Sequence, residues 1–463
     1  MILSLRILLV VVAANLAPPV LAHYLENRFD RPLDGGRRLA DGRPLFGPNK
    51  TVRGVVGGVL AAGLAGQLVG FGLLPGLVAG VLAMLGDLAT SWLKRRLGLA
   101  SGGTAPGLDQ LLEGLLPIAY LGLAFDLRWP AGTTLLLGFG LLAYAGSRLY
   151  AKFFLYPAPP GYRRKVSPRL RTRELIRCRT KPGLLDMLLN FQDAVYYHLL
   201  IHGFFKATRL YDQGLANALN FAVREQAVVL PRLPPTFDGL RVLFLSDLHL
   251  DGLPGLPERL AAVLPRLAFD LCIFGGDYRM GTYGPYSEAL HRLKAVVELT
   301  RCPLGQYAIL GNHDCYEMVE PLSAMGLDVL VNDAVRLERG GEEFWLAGVD
   351  DPHYFRCHDL PLALSEVPEA ACRILIAHSP AVFAEAAALG VDLLLSGHTH
   401  AGQICLPGLG AVFTHTPAPR RVVTGLWREG KMVGYTSAGV GASGVPVRFN
   451  CPGEVVILTV RRT

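Results

Sequence analysis

Val242-Leu243-Phe244-Leu245-Ser246-Asp247-Leu248-His249 is an apolar run that ends in a carboxylate and an imidazole. An unbroken apolar run of this length reads as a strand buried on both faces. Polar residues at the carboxyl end of such a strand sit where open α/β sheets bind ligands. The design recurs along the chain. Leu271-Cys272-Ile273-Phe274 leads to Gly275-Gly276-Asp277, and Tyr307-Ala308-Ile309-Leu310 leads to Gly311-Asn312-His313-Asp314. Ile374-Leu375-Ile376-Ala377 leads to His378, and Asp392-Leu393-Leu394-Leu395 leads to Ser396-Gly397-His398-Thr399-His400. A hydrolytic pair of metal ions holds both the attacking and the leaving oxygen of an in-line displacement, which requires a bridging carboxylate and several neutral imidazoles. The run ends supply that donor set. Alone, His378 reads as a core histidine and Gly275-Gly276-Asp277 as a turn; the ordered set reads as a metal centre.

The blocks DxH, GD, GNHD, H and GHTH, in this order, resemble those of the calcineurin-like metallophosphoesterases. The resemblance runs from about Phe237 to Thr463 and implies a metal-dependent phosphoester hydrolase, an α/β sandwich of two mixed sheets flanked by helices. It implies one metal held by Asp247, His249 and His400, a second by Asn312, His378 and His398, and Asp277 bridging both. Mn, Fe and Zn all suit such donors. It further implies that His313 protonates the leaving group or stabilises the transition state, with Asp314 orienting it. Arg279 reads as a bidentate phosphate grip or as a surface salt bridge. Asp350-Asp351-Pro352-His353 and Cys357-His358 read as a pocket lining or as a solvated loop. The glycine-rich stretch 439–444 with Arg448 is similar to the closing segment of the membrane-associated bacterial branch, which includes UDP-diacylglucosamine pyrophosphatases, and implies a lipid-linked substrate.

The first third of the chain has another character. The protein has 463 residues, 51% of them hydrophobic. Its mean hydropathy is positive, too apolar for an ordinary soluble enzyme and too charged for a pure membrane protein. Residues 2–22 can span a bilayer, and residues 54–86 carry no charge. Pro75 between Gly72 and Gly76 divides that second stretch into two short helices. Residues 111–125 and 133–144 complete a reading of five spans. Arg28, Arg31, Arg37, Arg38, Arg43, Lys50 and Arg53 fill the first loop, Lys94-Arg95-Arg96 begin the third, and Arg148, Lys152, Arg163, Arg164 and Lys165 follow the last span. Basic loops stay cytoplasmic, so the N-terminus faces out and the hydrolase faces in, at the inner (cytoplasmic) membrane. Val20-Leu21-Ala22 offers an alternative, a cleaved signal peptide, but Arg6 lies among apolar residues and Pro18-Pro19 sit near the site, which favours a retained span.

Carboxylates at a membrane edge are costly to desolvate and mark functional positions. Asn15-Leu16-Ala17-Pro18, Asp34-Gly35-Gly36, the stretches 47–54 and 86–96, and Asp109-Gln110 together resemble the CDP-archaeol synthases, relatives of phosphatidate cytidylyltransferases, over about residues 10–150. That likeness implies transfer of CMP from CTP to a lipid phosphate. It implies Mg²⁺ at Asp87 and Asp109, phosphates at Lys50, Arg53, Lys94, Arg95 and Arg96, and Ser91 helping to position them. The i, i+4, i+7 spacing of Asp87, Ser91 and Lys94 places them on one helix face. The bland alternative is that these basic residues only set topology.

The expected organisation is therefore a multi-domain chain. A polytopic α-helical membrane domain covers 1–152, a basic and helical connector 153–235, and the phosphoesterase domain 236–463. In the connector, Arg163, Arg164, Lys165, Arg169, Arg171, Arg173, Arg177, Arg179 and Lys181 read as a cluster for anionic lipid headgroups. Its place beside the last span argues against nucleic acid as the partner of the net charge of +7. Residues 184–223 read as helical, lying on the bilayer or packed on the catalytic domain. The 8 cysteines show no CxxC pair and no disulfide framework, and Cys315 reads as a buried thiol. The function expected is a bifunctional membrane enzyme, a hydrolase of a phosphate ester or pyrophosphate linkage fused to a CTP-dependent CDP-lipid synthase; the alternative is a hydrolase on an inactive synthase-like scaffold.

Overall fold

The computed structural model describes residues 2–25, 28–99, 108–154, 163–164, 167–179 and 199–462. The side chains of Asp109 and Gln110, together with Lys165, Lys181 and the aromatic stretch up to residue 198, lie outside the described residues. The chain divides into two compact units, Met1–Tyr156 with Ser167–Arg169, and Pro157–Val166 with Leu170–Thr463.

The first unit is helical: α1 Ile2–Leu25, α2 Val52–Leu68, α3 Leu73–Arg96, α4 Leu108–Ala124 and α5 Trp129–Phe154. The uncharged stretch breaks where Pro75 and its glycines predict, at the turn between α2 and α3. These two helices cross on glycines. A methyl at Gly76 would lie 2.5 Å from Ala62 O, and one at Gly80 2.8 Å from Val59 Cα. Small residues of this kind let apolar helices approach backbone to backbone. The five expected helices form, but among the described residues α1 and α3, each of 24 residues, are the two long and apolar enough to cross a membrane by themselves. At 17 residues each, α2 and α4 stand at the short end of what a bilayer needs. Ile7, Val10, Val11 and Ala14 of α1 are buried in the bundle core, and Arg6 donates to Val69 O at 2.5 Å.

The second unit is a sandwich. Its strands are β1 Ala222–Val229, β2 Leu240–Leu245, β3 Leu271–Phe274, β4 Gln306–Ala308, β5 Asp328–Val329, β6 Asp333–Arg339, β7 Glu342–Gly348, β8 Arg373–Ile376, β9 Leu393–Ser396, β10 Cys405–Leu406, β11 Gly410–Ala411, β12 Gly425–Glu429, β13 Met432–Thr436 and β14 Glu454–Arg461. One mixed sheet has the order β1-β14-β2-β3-β4-β5 and the other β12-β13-β9-β8-β7-β6. The apolar runs are continuous because both faces of each central strand are covered. Val242 and Phe244 of β2 meet Ile374, Ile376, Leu393 and Leu395 of the other sheet in the layer between them. Leu243 and Leu245 lie on the opposite face, against Leu256, Leu260 and Leu293 from flanking helices. Each such side chain contributes about 1.5–3 kcal/mol of burial. β1 arises from residues that the sequence reading leaves in the connector, and it pairs in parallel with β14.

The connector arginines differ from expectation. Five of them bind within the second unit. Arg164 is buried, bonded to Glu174 at 2.5 Å and to Asp350 at 2.7 Å, and Arg171 joins Glu174 at 2.5 Å. Arg163 pairs with Glu366, Arg173 donates to Phe355 O at 3.0 Å, and Arg177 donates to Thr282 Oγ1. Carboxylates far along the chain satisfy what sequence shows only as a basic cluster. The same segment corrects the cysteine reading: Cys178 is disulfide-bonded to Cys315 across 137 residues. Spacing alone cannot reveal a pair that tertiary folding brings together.

Candidate metal centre

The turns after β2, β3, β4, β8 and β9 converge, three from one sheet and two from the other. All the expected donors of the second unit meet there. Asp247, His249 and His400 form one group, His249, Asp277 and His313 another, and Asp277, His378 and His398 a third, with ligand atoms within 4.8 Å of one another in each group. His378 Nε2 is 3.1 Å from Asp277 Oδ2 and 3.1 Å from Asn312 Oδ1, and His400 Nε2 is 3.3 Å from Asp247 Oδ1.

The imidazoles are aimed by the backbone. Nδ1 of His249, His378 and His313 faces the carbonyl oxygens of Arg279, Gly275 and Met280 at 2.7, 2.8 and 2.7 Å. Donation from Nδ1 leaves each Nε2 lone pair directed into the centre. His398 is reversed, with Nε2 donating to His415 O at 3.0 Å, so that Nδ1 is its ligand side. Nε2 of His249 and His400 lie 3.2 Å apart. Two ring nitrogens this close, beside two buried carboxylates, fit a shared cation.

The electrostatics carry the same demand. Burial by itself raises Asp277, but His378 and then His313 outweigh it and hold the carboxylate well below its ordinary range. Burial likewise lowers His378, yet Asp277 and Asp247 push the imidazole up to about 10. Burial instead raises Asp247, outweighing His378, so it is the Asp277 carboxylate that calls for positive charge in a dry site, which a proton or a divalent cation can provide.

Backbone strain is concentrated in the ligand turns. Asp247 (φ 54°), His249 (φ 43°), Asp277 (φ 58°), His398 (φ 70°) and His400 (φ 49°) all adopt left-handed conformations. Such residues persist where the surroundings over-determine them, and they cluster at active sites. Both oxygens of Asp247 accept from His398 N at 3.0 Å, tying the two sheets across the centre. The glycines of the motifs leave the room: a methyl on Gly397 would fall 2.2 Å from Asp247 Oδ2.

Several neighbours play parts other than those expected. Asp314 does not orient His313. Its carboxylate accepts from the backbone N–H of Asp277, Tyr278 and Gly311 at 2.7, 3.0 and 2.8 Å and braces two ligand turns. His313 is set by Met280 O and by its own N–H to Asp277 Oδ1 at 2.8 Å. Arg279 is neither a phosphate grip nor a surface salt bridge, being buried with its guanidinium on the carbonyls of His313 and Gly284. Arg448, fully buried, donates to Ala438 O at 2.7 Å and Gly441 O at 2.6 Å and lies 3.2 Å from His400 Nδ1. Asp351 is buried and collects the N–H groups of His353, Tyr354 and Phe355. This turn lines the cavity and sets the His353 ring 4.1 Å from that of His398. His415, which sequence reading missed, lines the same cavity; a lone histidine in a Thr-His-Thr stretch carries no spacing signal.

In the first unit, Lys50 Nζ bonds both oxygens of Asp87, at 2.5 and 2.7 Å. Arg53 pairs with Asp30 at 2.9 Å, and Arg96 with Asp41 at 2.5 Å and with Pro44 O at 2.7 Å. Ser91 and Arg95 are buried, and Asp87, Ser91 and Lys94 all lie on α3. Asp34, outside the helices, accepts from the N–H groups of Gly36, Phe46 and Gly47 and shapes the basic loop.

A sandwich of two mixed sheets with a His/Asp donor set at its strand ends is the architecture of a metallophosphoesterase. Residues 240–402 match the family described as calcineurin-like phosphoesterase, and residues 8–127 match that described as CDP-archaeol synthase. The chain therefore joins a calcineurin-like metallophosphoesterase domain, a hydrolase of the divalent-metal type, to a CDP-archaeol synthase-like domain. It is 28% identical to an uncharacterized metallophosphoesterase of Bacillus subtilis, over 52% of this chain and 85% of the relative. It is 30% identical to a transmembrane protein with metallophosphoesterase domain of Danio rerio, over 54% of this chain and 60% of the relative. It is 41% identical to a CDP-archaeol synthase of Hyperthermus butylicus, over 21% of this chain and 60% of the relative. A solved intramembrane enzyme for archaeal membrane lipid biosynthesis is 28% identical, covering 30% of this chain and 92% of that one, with a TM-score of 0.27.

Proposed function

We propose that the protein is a membrane-bound hydrolase of a phosphate ester or pyrophosphate linkage in a lipid-linked compound, joined to a CTP-dependent CDP-lipid synthase. The convergence of Asp247, His249, Asp277, Asn312, His378, His398 and His400 on one buried centre carries the hydrolase reading. Asp247, His249 and His400 would hold one divalent ion, Asn312, His378 and His398 the other, with Asp277 between them. Mn, Fe or Zn ions there would supply a Lewis-acid clamp and a nucleophilic water at neutral pH. Hydrolysis forms one P–O bond to the water oxygen and breaks the one to the leaving group. His313 Nε2 faces the centre and is placed to give that leaving oxygen its proton. Burial pushes His313 down to about 4, and an anionic phosphate beside it would favour the charged ring. The test is turnover of bis-p-nitrophenyl phosphate by the full chain with each metal. Asp277→Asn and His398→Ala should abolish it; activity retained in both overturns the assignment.

In the first unit, Asp87 and Asp109 would hold Mg²⁺, while Lys50, Arg53, Lys94, Arg95 and Arg96, with Ser91, would bind the phosphates of CTP. One observation favours the alternative, a hydrolase on an inactive scaffold: Lys50 already covers both Asp87 oxygens. Mass spectrometry of CDP-lipid and pyrophosphate, formed from CTP and lipid phosphate by the Asp277→Asn variant, separates the two readings. Loss of product on further Asp87→Asn substitution supports a synthase, and no product supports a scaffold. The basic loops favour an inner-membrane position for the unit with the hydrolase on the cytoplasmic side. The Cys178–Cys315 disulfide pulls the other way, since such bonds persist in oxidising compartments.

A further inference from the structure

The metal centre opens into a cavity of about 840 Å³ with two unlike ends. One end holds Asp277, Asn312, His313, His398 and His400, with the Arg177 side chain nearby. The other end is walled by Ile201, Phe204, Phe205, Val412, Phe413 and Val445. Helix His202–Ala207 contributes Phe204 and Phe205 to that lining, and the segment following β11 contributes Val412 and Phe413. The helix is anchored. Phe205 stacks on Phe449 with ring centroids 5.5 Å apart and packs with Val445 and Val447. Its neighbour Phe204 is left 57% exposed and Phe413, which lines the same cavity, 59%, while Leu199 and Leu409 are 66% and 73% exposed. Large apolar side chains left in water at both lips of a cavity indicate a partner.

Charge narrows the choice of partner. Helix His202–Ala207, which carries Phe204 and Phe205, has Lys206 as its one charged residue, and the carboxylates among the cavity lining, Asp251 and Asp277, come from the turns after β2 and β3. An apolar arm, basic at Lys206, that opens on a cluster of imidazoles is complementary to an anionic amphiphile.

We infer that this cavity binds a phosphorylated amphiphile, its phosphate at the metal end and one hydrocarbon chain in the arm walled by Phe204, Phe205, Val412, Phe413 and Val445. The inference deepens the hydrolase reading and rests on it for the placement of the phosphate. No residue of the arm belongs to the expected donor set.

The test uses the full chain in phosphatidylcholine nanodiscs. Turnover of methyl and decyl p-nitrophenyl phosphate is compared for the wild type and a Phe204→Ser, Phe413→Ser double variant. In parallel, calorimetry measures binding of methylphosphonate and decylphosphonate without added metal. The wild type should favour the decyl probe by about tenfold or more, since each sequestered methylene adds to the driving force. The double variant should bring the decyl-to-methyl ratio towards one, in turnover and in binding. An equal ratio in both proteins means that the chain partitions only into the nanodisc, and overturns the inference. If neither probe is turned over but decylphosphonate still binds through the two phenylalanines, the hydrolase reading fails and the amphiphile site stands. If both probes are turned over alike and neither phosphonate is preferred, the amphiphile site fails alone.

Discussion

Replacing Gly311 with alanine should strike the metal centre through a single methyl group. A Cβ at this position would lie 2.1 Å from Asp277 Oδ1 and 2.6 Å from Asp277 N, where real Cβ contacts essentially never fall below 3.0 Å. Relief requires a shift of about 0.9 Å. Rotation of the Asp277 side chain cannot absorb it, because the backbone nitrogen is crowded as well and its N–H is tied to Asp314 Oδ2 at 2.7 Å. The carboxylate expected to bridge both metals therefore moves with its turn. Misplacement of about 1 Å at a reacting centre costs on the order of a hundredfold in rate. Overpacking adds about 1–3 kcal/mol of lost stability. The assay is kcat/KM on bis-p-nitrophenyl phosphate, with bound metal measured by plasma mass spectrometry and folding checked by thermal melting. Gly146→Ala in α5, where a methyl meets nothing within 4 Å, is the control for the substitution itself. A Gly311→Ala protein that keeps a full metal complement and a rate within about threefold of wild type would refute the argument, since the shift invoked should cost far more.

Chelation should lower the melting temperature and Mn²⁺ restore it, because a ligand at a hundred times its Kd adds about 2.7 kcal/mol; the Asp277→Asn protein should show no such response. Arg448→Met removes the donors that serve Ala438 O and Gly441 O in a fully buried site. It should cost about 3 kcal/mol or more in chemical denaturation, with no rescue by lysine, and a wild-type midpoint would refute this role. Glu174→Gln leaves Arg164 and Arg171 short of their shared carboxylate. A loss of about 3–5 kcal/mol is expected, together with faster proteolysis of the segment 163–179. Peptide mapping without reductant should recover Cys178 linked to Cys315, whereas two free thiols in protein isolated under alkylation would support the cytoplasmic placement of the hydrolase.

What was legible in the sequence follows from where each constraint is local. The five apolar runs announced strands because burial on both faces leaves no alternation, and the ligand blocks stood at their ends for the same reason that sheets bind ligands there. The division of those strands between two sheets was not legible in the runs. Nothing in Val242-Leu243-Phe244-Leu245 distinguishes a neighbour in the same sheet from one facing it across the core, and only the family likeness supplied two sheets. Arginines were the least legible residues. Arg279, Arg448 and Arg164 look like surface or substrate groups in a linear reading, yet each is buried and reaches a carbonyl or carboxylate distant in sequence, on His313, His400 and Asp350. A guanidinium can brace a buried turn because it distributes its donors over several acceptors, and the identity of those acceptors exists only in the fold.

The least visible feature explains the others. Five ligand residues hold positive φ values, each at a cost of order 1–3 kcal/mol. Glycine at those positions would remove the strain and the ligand together, so the chain must bear the cost where the chemistry needs a carboxylate or an imidazole. What offsets it surrounds the centre. Asp314 holds the turns of Asp277 and Gly311, Arg448 holds the carbonyls beside His400, and the Asp247 carboxylate takes the N–H of His398 from the opposite sheet. These braces are polar and buried, and each reaches a turn other than its own. A centre strained in this way depends for its donor geometry on braces from both sheets. Loss of a brace should therefore weaken metal binding even where no ligand is touched.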